Sequence, residues 1–145
     1  YGAKEFDKLL SVVNYGINRA VLITTISVIF FFVLASNILP IFSSNPLVID
    51  IGVTYLKIII LVYPAVGISV ICSRVCQALG QGMPLLITTI TRVIILTAPL
   101  SYYFYFTGRP IEWVWFSQVL AILIAATISF AWMRYYFRKF NIVRN

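Results

Sequence analysis

Residues 20–35 read AVLITTISVIFFFVLA, a run without one charged side chain. An α-helix rises 1.5 Å per residue, so about 20 such residues cross the roughly 30 Å hydrocarbon core of a bilayer. Three further stretches repeat the pattern. Residues 58–71 carry no charge and continue through Cys72 and Ser73; 83–108 are interrupted only by Arg92; and WVWFSQVLAILIAATISFAWM, residues 113–133, again carries none. The spacing predicts spans at 16–37, 50–78, 84–106 and 112–133. They are joined by segments at 38–49, 79–83 and 107–111 and flanked by 1–15 and 134–145. With 61% hydrophobic and 10% charged residues and a mean hydropathy of +0.99, the chain lies outside the range of soluble domains. The expected class is an all-α integral membrane protein with membrane lipid as its solvent.

Orientation follows from basic residues near span ends, which are retained on the cytoplasmic side during insertion. Lys4, Lys8 and Arg19 flank the first span, and Arg134, Arg138, Lys139 and Arg144 follow the last. The other side shows only Arg109 with Glu112, and Asp50 with Lys57. Both ends, 1–15 and 134–145, are therefore expected in the cytoplasm, with 38–49 and 107–111 as external loops. The net charge of +7 is this topology signal together with attraction to anionic inner-leaflet lipid, and no nucleic-acid partner is expected. Tyr102, Tyr103, Tyr105, Trp113, Trp115, Trp132, Tyr135 and Tyr136 stand at span ends, where amphipathic rings favour the head-group level. The chain opens on Tyr1 inside a polar run with no secretory signal pattern, which predicts a cut end with further helices upstream.

Turn chemistry divides the spans. Pro40 is expected to close the first helix, Asn45 to cap the second with Pro46 in its first turn, and Gly80 or Gly82 to supply a left-handed turn at its end. Within spans, Pro64 and Pro99 each free a carbonyl one turn earlier and bend their helices, marking them as hinge candidates. Tyr63, Ser69, Ser73 and Gln77 form a polar set in the second span; Ser69, Ser73 and Gln77 recur every four residues and share one side. Interhelical hydrogen bonding and the lining of a substrate cavity both remain open for them. Thr24, Thr25 and Ser27, and Thr88, Thr89, Thr91 and Thr97, read as packing residues. Arg92, roughly 12 Å along the axis from Pro84, is a charge inside a span and needs a partner or access to water. Snorkelling and a gate contact are both open, whereas a cationic ligand would be repelled.

The order of these signals resembles the last third of a multidrug and toxic compound extrusion (MATE) transporter. The resemblance runs through Tyr1-Gly2-Ala3, Leu39-Pro40-Ile41-Phe42-Ser43-Ser44-Asn45-Pro46, Tyr55-Leu56, Pro64, the turn Gln77-Ala78-Leu79-Gly80-Gln81-Gly82-Met83-Pro84, Arg92 and Pro99-Leu100. It implies four helices, nine to twelve, of a six-helix bundle in a twelve-helix, two-lobe protein. It further implies efflux of amphipathic or cationic small molecules in exchange for H⁺ or Na⁺ across the plasma membrane, in partnership with the remainder of the chain. Some members carry a cation-binding carboxylate on the helix corresponding to Val53–Gln77, and this sequence has none there. The coupling ion is accordingly expected to bind outside these residues.

No cofactor or metal is expected. Cys72 and Cys76, four apart on one helix, lack the further ligands a metal needs and read as packing residues. An enzyme is not expected either: there is no His, no paired carboxylate within a span and no phosphate-cradling loop. A lipid-linked saccharide flippase of the same superfamily and a non-transporting four-helix subunit are the alternatives. A small four-helix dimeric transporter would need a Glu in its first span, and residues 10–35 have none.

Overall fold

Helix α1 occupies Phe6–Phe42 in the computed structural model, which describes residues 6–142. It starts well before the predicted boundary at 16. The reason is a periodic face: Leu9, Leu10, Val13 and Ile17 recur at helical spacing and pack on a core cluster of Cys72, Cys76, Met133 and Phe137. Pro40 does not close α1; the helix runs two residues past it. Proline's own φ suits a helix, and in the last turn its missing N–H forfeits a single bond. The Tyr1-Gly2-Ala3 segment, Lys4 and Arg144 lie outside the described residues.

The predicted single span at 50–78 is two helices, α2 (Pro46–Ile60) and α3 (Tyr63–Ala78), inclined by 49° across Leu61 and Val62. Pro64 sits in the first turn of α3, so the bend falls just before it. Asn45 caps α2 through Oδ1, which accepts from the Leu47 N–H at 3.0 Å, and Pro46 follows in the first turn. After α3 the chain reverses at Gly80, whose φ of +80° is the left-handed conformation that favours glycine. Gly82 keeps a negative φ and precedes the next helix.

The third span is continuous but not uniform. Helix α4 (Met83–Ile90) passes into a π-helical stretch, Thr91–Thr97, and then into α5, Ala98–Phe106. Within the wide turns the Ala98 N–H donates to the Val93 carbonyl, and Thr97 Oγ1 donates to the Arg92 carbonyl at 2.8 Å. Pro99, the second residue of α5, lies two residues beyond and has no N–H to continue an α-helical ladder. The last helix, α6 (Ile111–Ile142), overruns the predicted 112–133. Its extension has the same cause as that of α1, because Met133, Tyr136 and Phe137 all face the core cluster.

At 37 and 32 residues, α1 and α6 are about 55 and 48 Å long, more than a bilayer core requires, and both overhang at one end of the bundle. There the start of α1 meets the ends of α3 and α6. At the other end Tyr55 of α2 packs edge-on against Trp115 of α6, with ring centroids 5.4 Å apart, and Phe104 of α5 lies 5.5 Å from Trp113. The helices therefore alternate in direction. Three are long and apolar enough to span, and the bent pair α2 and α3, taken as one span, would make a fourth. In between, α6 is the spine: it packs on α3, on the π stretch and on α5. Only 6% of the apolar window of α1 is buried, so that helix presents most of its surface outward.

Candidate functional site

The polar groups of the spans fall into two sorts, staples and a cleft. Ser69 of α3 and Ser129 of α6 share a hydrogen bond at 3.1 Å, and Ser101 of α5 does the same with Ser117 of α6 at 3.0 Å. Ser117 also donates to the Val114 carbonyl. In an apolar bundle, where burial against lipid supplies no drive between helices, small residues and such contacts hold neighbours together, at about 0.6 kcal/mol each. A double-mutant cycle of Ser69→Ala and Ser129→Ala is therefore expected to give a coupling near that value in denaturant unfolding. Strictly additive single effects would show that the pair is geometry without energy.

The cleft lies between α3, α4, the π stretch and α6, with a volume of about 120 Å³. Its walls are Ser69, Val70 and Ser73 from α3, Leu85, Thr88 and Thr89 from α4, Arg92 from the π stretch, and Ala125 from α6. Thr88 donates to the Pro84 carbonyl at 2.8 Å, and Thr89 to the Leu85 carbonyl at 2.8 Å. Both hydroxyls are thereby committed as donors and present lone pairs to the cleft. A space of this size exceeds the about 10–15 Å³ that one water needs, and its walls are polar enough to keep water.

The polar residues anticipated from sequence divide accordingly. Ser69, Ser73 and Arg92 come together at the cleft, Ser69 while also bonded to Ser129. Tyr63 does not join them; it is exposed at the head of α3. Gln77, beyond the cleft, accepts from Arg74 at 3.1 Å. Thr88 and Thr89 are members for which the sequence favoured packing over lining a cavity. The available signal was their spacing, since Leu85, Thr88, Thr89 and Arg92 fall at i, i+3, i+4 and i+7 and so share a face. Pro64 and Pro99 do not touch the cleft, but the helices they begin, α3 and α5, adjoin the irregular segments around it.

The other basic side chains are handled differently. Arg19 lies 5.0 Å from the Tyr15 ring centroid, Lys57 5.5 Å from Phe32, Arg109 5.5 Å from Trp113 and Arg134 5.2 Å from Phe130. Each such contact offsets part of the cost of holding a cation near apolar surroundings. Glu112 stands in the first turn of α6 and Asp50 in the second turn of α2, both away from the middle of any span. Cys72 and Cys76 are free and buried in the core cluster. Among the described residues no group of three or more His, Cys, Asp or Glu could hold a metal. A larger hollow of about 500 Å³ between α5 and α6, bordered by Leu100, Phe104, Phe116 and Leu120, exposes only apolar atoms and has nothing to orient a ligand.

Comparison with known proteins gives two findings. The MatE family profile matches residues 1–103. Two solved structures superpose over 97% of the chain at 23% sequence identity: one described as the inward-facing conformation of a multidrug resistance MATE family transporter of the MOP superfamily, TM-score 0.89, and one described as a crystal structure of MATE in complex with MaL6, TM-score 0.87. The chain spans about a third of each, 33% and 32% respectively. No curated protein matches.

Proposed function

The chain belongs to the MatE family of multi-pass membrane transporters, and from that premise we infer that it forms one wall of the substrate path in a multidrug efflux antiporter. Exchange is with H⁺ or Na⁺, and access alternates between two helical bundles. In this reading α1, the bent pair α2 and α3, the α4 to α5 span and α6 are helices nine to twelve of a twelve-helix, two-lobe protein in the plasma membrane. Both ends of the chain face the cytoplasm, where Lys8, Arg134, Arg138 and Lys139 gather near the overhanging ends of α1 and α6. The coupling ion binds on the remainder of the protein, because the described spans hold no carboxylate at mid-depth.

The observation that carries the reading is the position of the polar cleft. Its α3 wall follows the 49° break at Leu61 and Val62, and its opposite wall is the transition from α4 into the π stretch. Irregular backbone inside a membrane persists where it lines a cavity or is covered by protein. Broken and widened helices are also where a span bends without rupturing its remaining hydrogen bonds. Substrate is then an amphipathic or cationic small molecule, whose apolar part suits the walls between the staples and whose positive charge, where it has one, stays outside the Arg92 cleft.

The test is transport by the intact protein in proteoliposomes, with a permanently cationic dye at equal concentration on both sides and either a pH or a Na⁺ gradient imposed. Dye movement against its own gradient is expected with one ion and not with the other. Movement indifferent to both gradients would sink the antiport reading while leaving the membrane assignment untouched. Pro64→Ala and Pro99→Ala are expected to slow turnover several-fold with substrate affinity little changed, if these bends serve the conformational step.

A further inference from the structure

Arg92 differs from the cations that rest on a ring or a side-chain amide. Arg19, Lys57, Arg109 and Arg134 each rest on an aromatic ring, and Arg74 donates to Gln77. Among the described residues the half-buried guanidinium of Arg92 has no hydrogen-bond, ion-pair or ring partner. A second group in the same cleft shares this condition. Ser73 is only 3% exposed, yet its hydroxyl makes no hydrogen bond, unlike the threonines opposite, which donate to carbonyls of their own helix. Among the described residues no fully buried side-chain nitrogen or oxygen lacks a hydrogen-bond partner, so the Ser73 hydroxyl, without one, keeps its access to the cleft. Two unpartnered donors, one of them charged, converge from α3 and the π stretch on one space of about 120 Å³.

We propose that this cleft receives the carboxylate of an amphipathic organic solute, gripped by the Arg92 guanidinium and the Ser73 hydroxyl. A guanidinium presents parallel N–H groups in a planar fork that fits two carboxylate oxygens at once, and in surroundings of low dielectric such a bond is stronger than in water. The hydroxyl of Ser73 adds a third donor. Val70, Leu85 and Ala125 supply the apolar wall on which the body of the solute rests. Like charge keeps an amine out of the cleft, so a zwitterionic solute enters carboxylate first. A lipid phosphate is the weaker occupant, because Arg92 stands roughly 12 Å along the helix from Pro84, too deep for a head group held at the surface. The π stretch positions the group: Thr97 pins the Arg92 carbonyl and so fixes the turn from which the side chain projects.

The proposal rests on the transporter reading only in taking the ligand to be a solute that reaches the span from water. The experiment is equilibrium dialysis of radiolabelled benzoate against the intact protein in phosphatidylcholine nanodiscs, with inorganic phosphate as competitor. Saturable binding is expected, weakened about tenfold or more by Arg92→Gln and about threefold to tenfold by Ser73→Ala, with Arg92→Lys between wild type and Arg92→Gln. Competition by phosphate would mark a site that reads the oxyanion alone, and its absence one that also reads the apolar body; both support the proposal. Benzoate binding indifferent to Arg92→Gln would overturn it, as would no binding to wild type, the result expected if a carboxylate of the protein itself occupies Arg92. Displacement by added phosphatidylglycerol would assign the site to lipid instead. Arg92→Gln removes a charge from an apolar environment and is expected to fold, and thermal unfolding of each variant checks this. The cationic dye used for transport carries no carboxylate, so failure of antiport and failure of this site register in separate assays.

Discussion

Met133→Ala is expected to lower the unfolding free energy of the bundle by about 2–3 kcal/mol. Met133 is fully buried where the start of α1 and the ends of α3 and α6 converge, in contact with the cluster of Val13, Cys72, Cys76 and Phe137. Lipid tails are as apolar as the core, so transfer contributes little to helix association in a membrane, and packing contributes most. Truncation therefore acts mainly through the cavity it leaves, which places the cost toward the lower half of the range for large-to-small core substitutions. Three helices line that cavity, and none can close it without leaving another neighbour. Met133→Leu conserves volume and should cost less than about 1.5 kcal/mol. Unfolding by dodecyl sulfate titration, followed by circular dichroism, separates the two; equal midpoints for Met133→Ala and wild type would show that this end of the bundle is loose.

The second large effect is expected where α3 crosses α1. Gly67 has room for one methyl group: a Cβ there would stand 3.4 Å from Thr24 Cγ2 and 3.8 Å from Ala20 Cβ. Thr24 cannot turn aside cheaply, because its hydroxyl is held to the Ala20 carbonyl at 2.7 Å and the Val21 carbonyl at 3.1 Å. Gly67→Leu must force the helices apart and should cost about 1–3 kcal/mol or more. Gly67→Ala should be neutral to stabilising by up to about 1 kcal/mol, because the methyl meets its neighbours at van der Waals distance and alanine favours the helix. Adding Thr24→Ala to Gly67→Leu should restore part of the loss. A leucine variant as stable as wild type, with no help from Thr24→Ala, would mean that α1 and α3 are not fixed against each other here.

How much was legible in the sequence depends on which force sets each feature. Long uncharged runs record a solvent requirement, and that requirement alone produces the spans. The Asn45 cap, Pro46 in the first turn and the reversal at Gly80 are local chemistry, readable from a few adjacent residues. The helix ends at Phe6 and Ile142 were not read from hydropathy, because they lie beyond the apolar runs and are held by a periodic face on a distant cluster. Pro64 announces a bend one turn before itself, where the break at Leu61 and Val62 falls, but it is compatible with either one bent span or two helices. The π stretch is similarly silent: Thr91–Thr97 has ordinary helix composition, and its wide turns follow from packing against α6 on one side and from Pro99 on the other. Of the polar residues, Ser69, Ser73 and Arg92 could be singled out by type, but only their neighbours in space decide which are staples and which face a cleft.

The π stretch also has a consequence for how this chain is matched to others. Each of its loops closes over one residue more than an α-helical turn does, so the span from Met83 to Phe106 holds an extra residue between the same two ends. A homologous helix that stayed regular throughout would pair with it only through a single-residue gap inside 91–97. Without that gap, every position on one side of the stretch would be assigned to a face about 100° from its own, and Ser101, which here meets Ser117, would be paired with a residue pointing elsewhere.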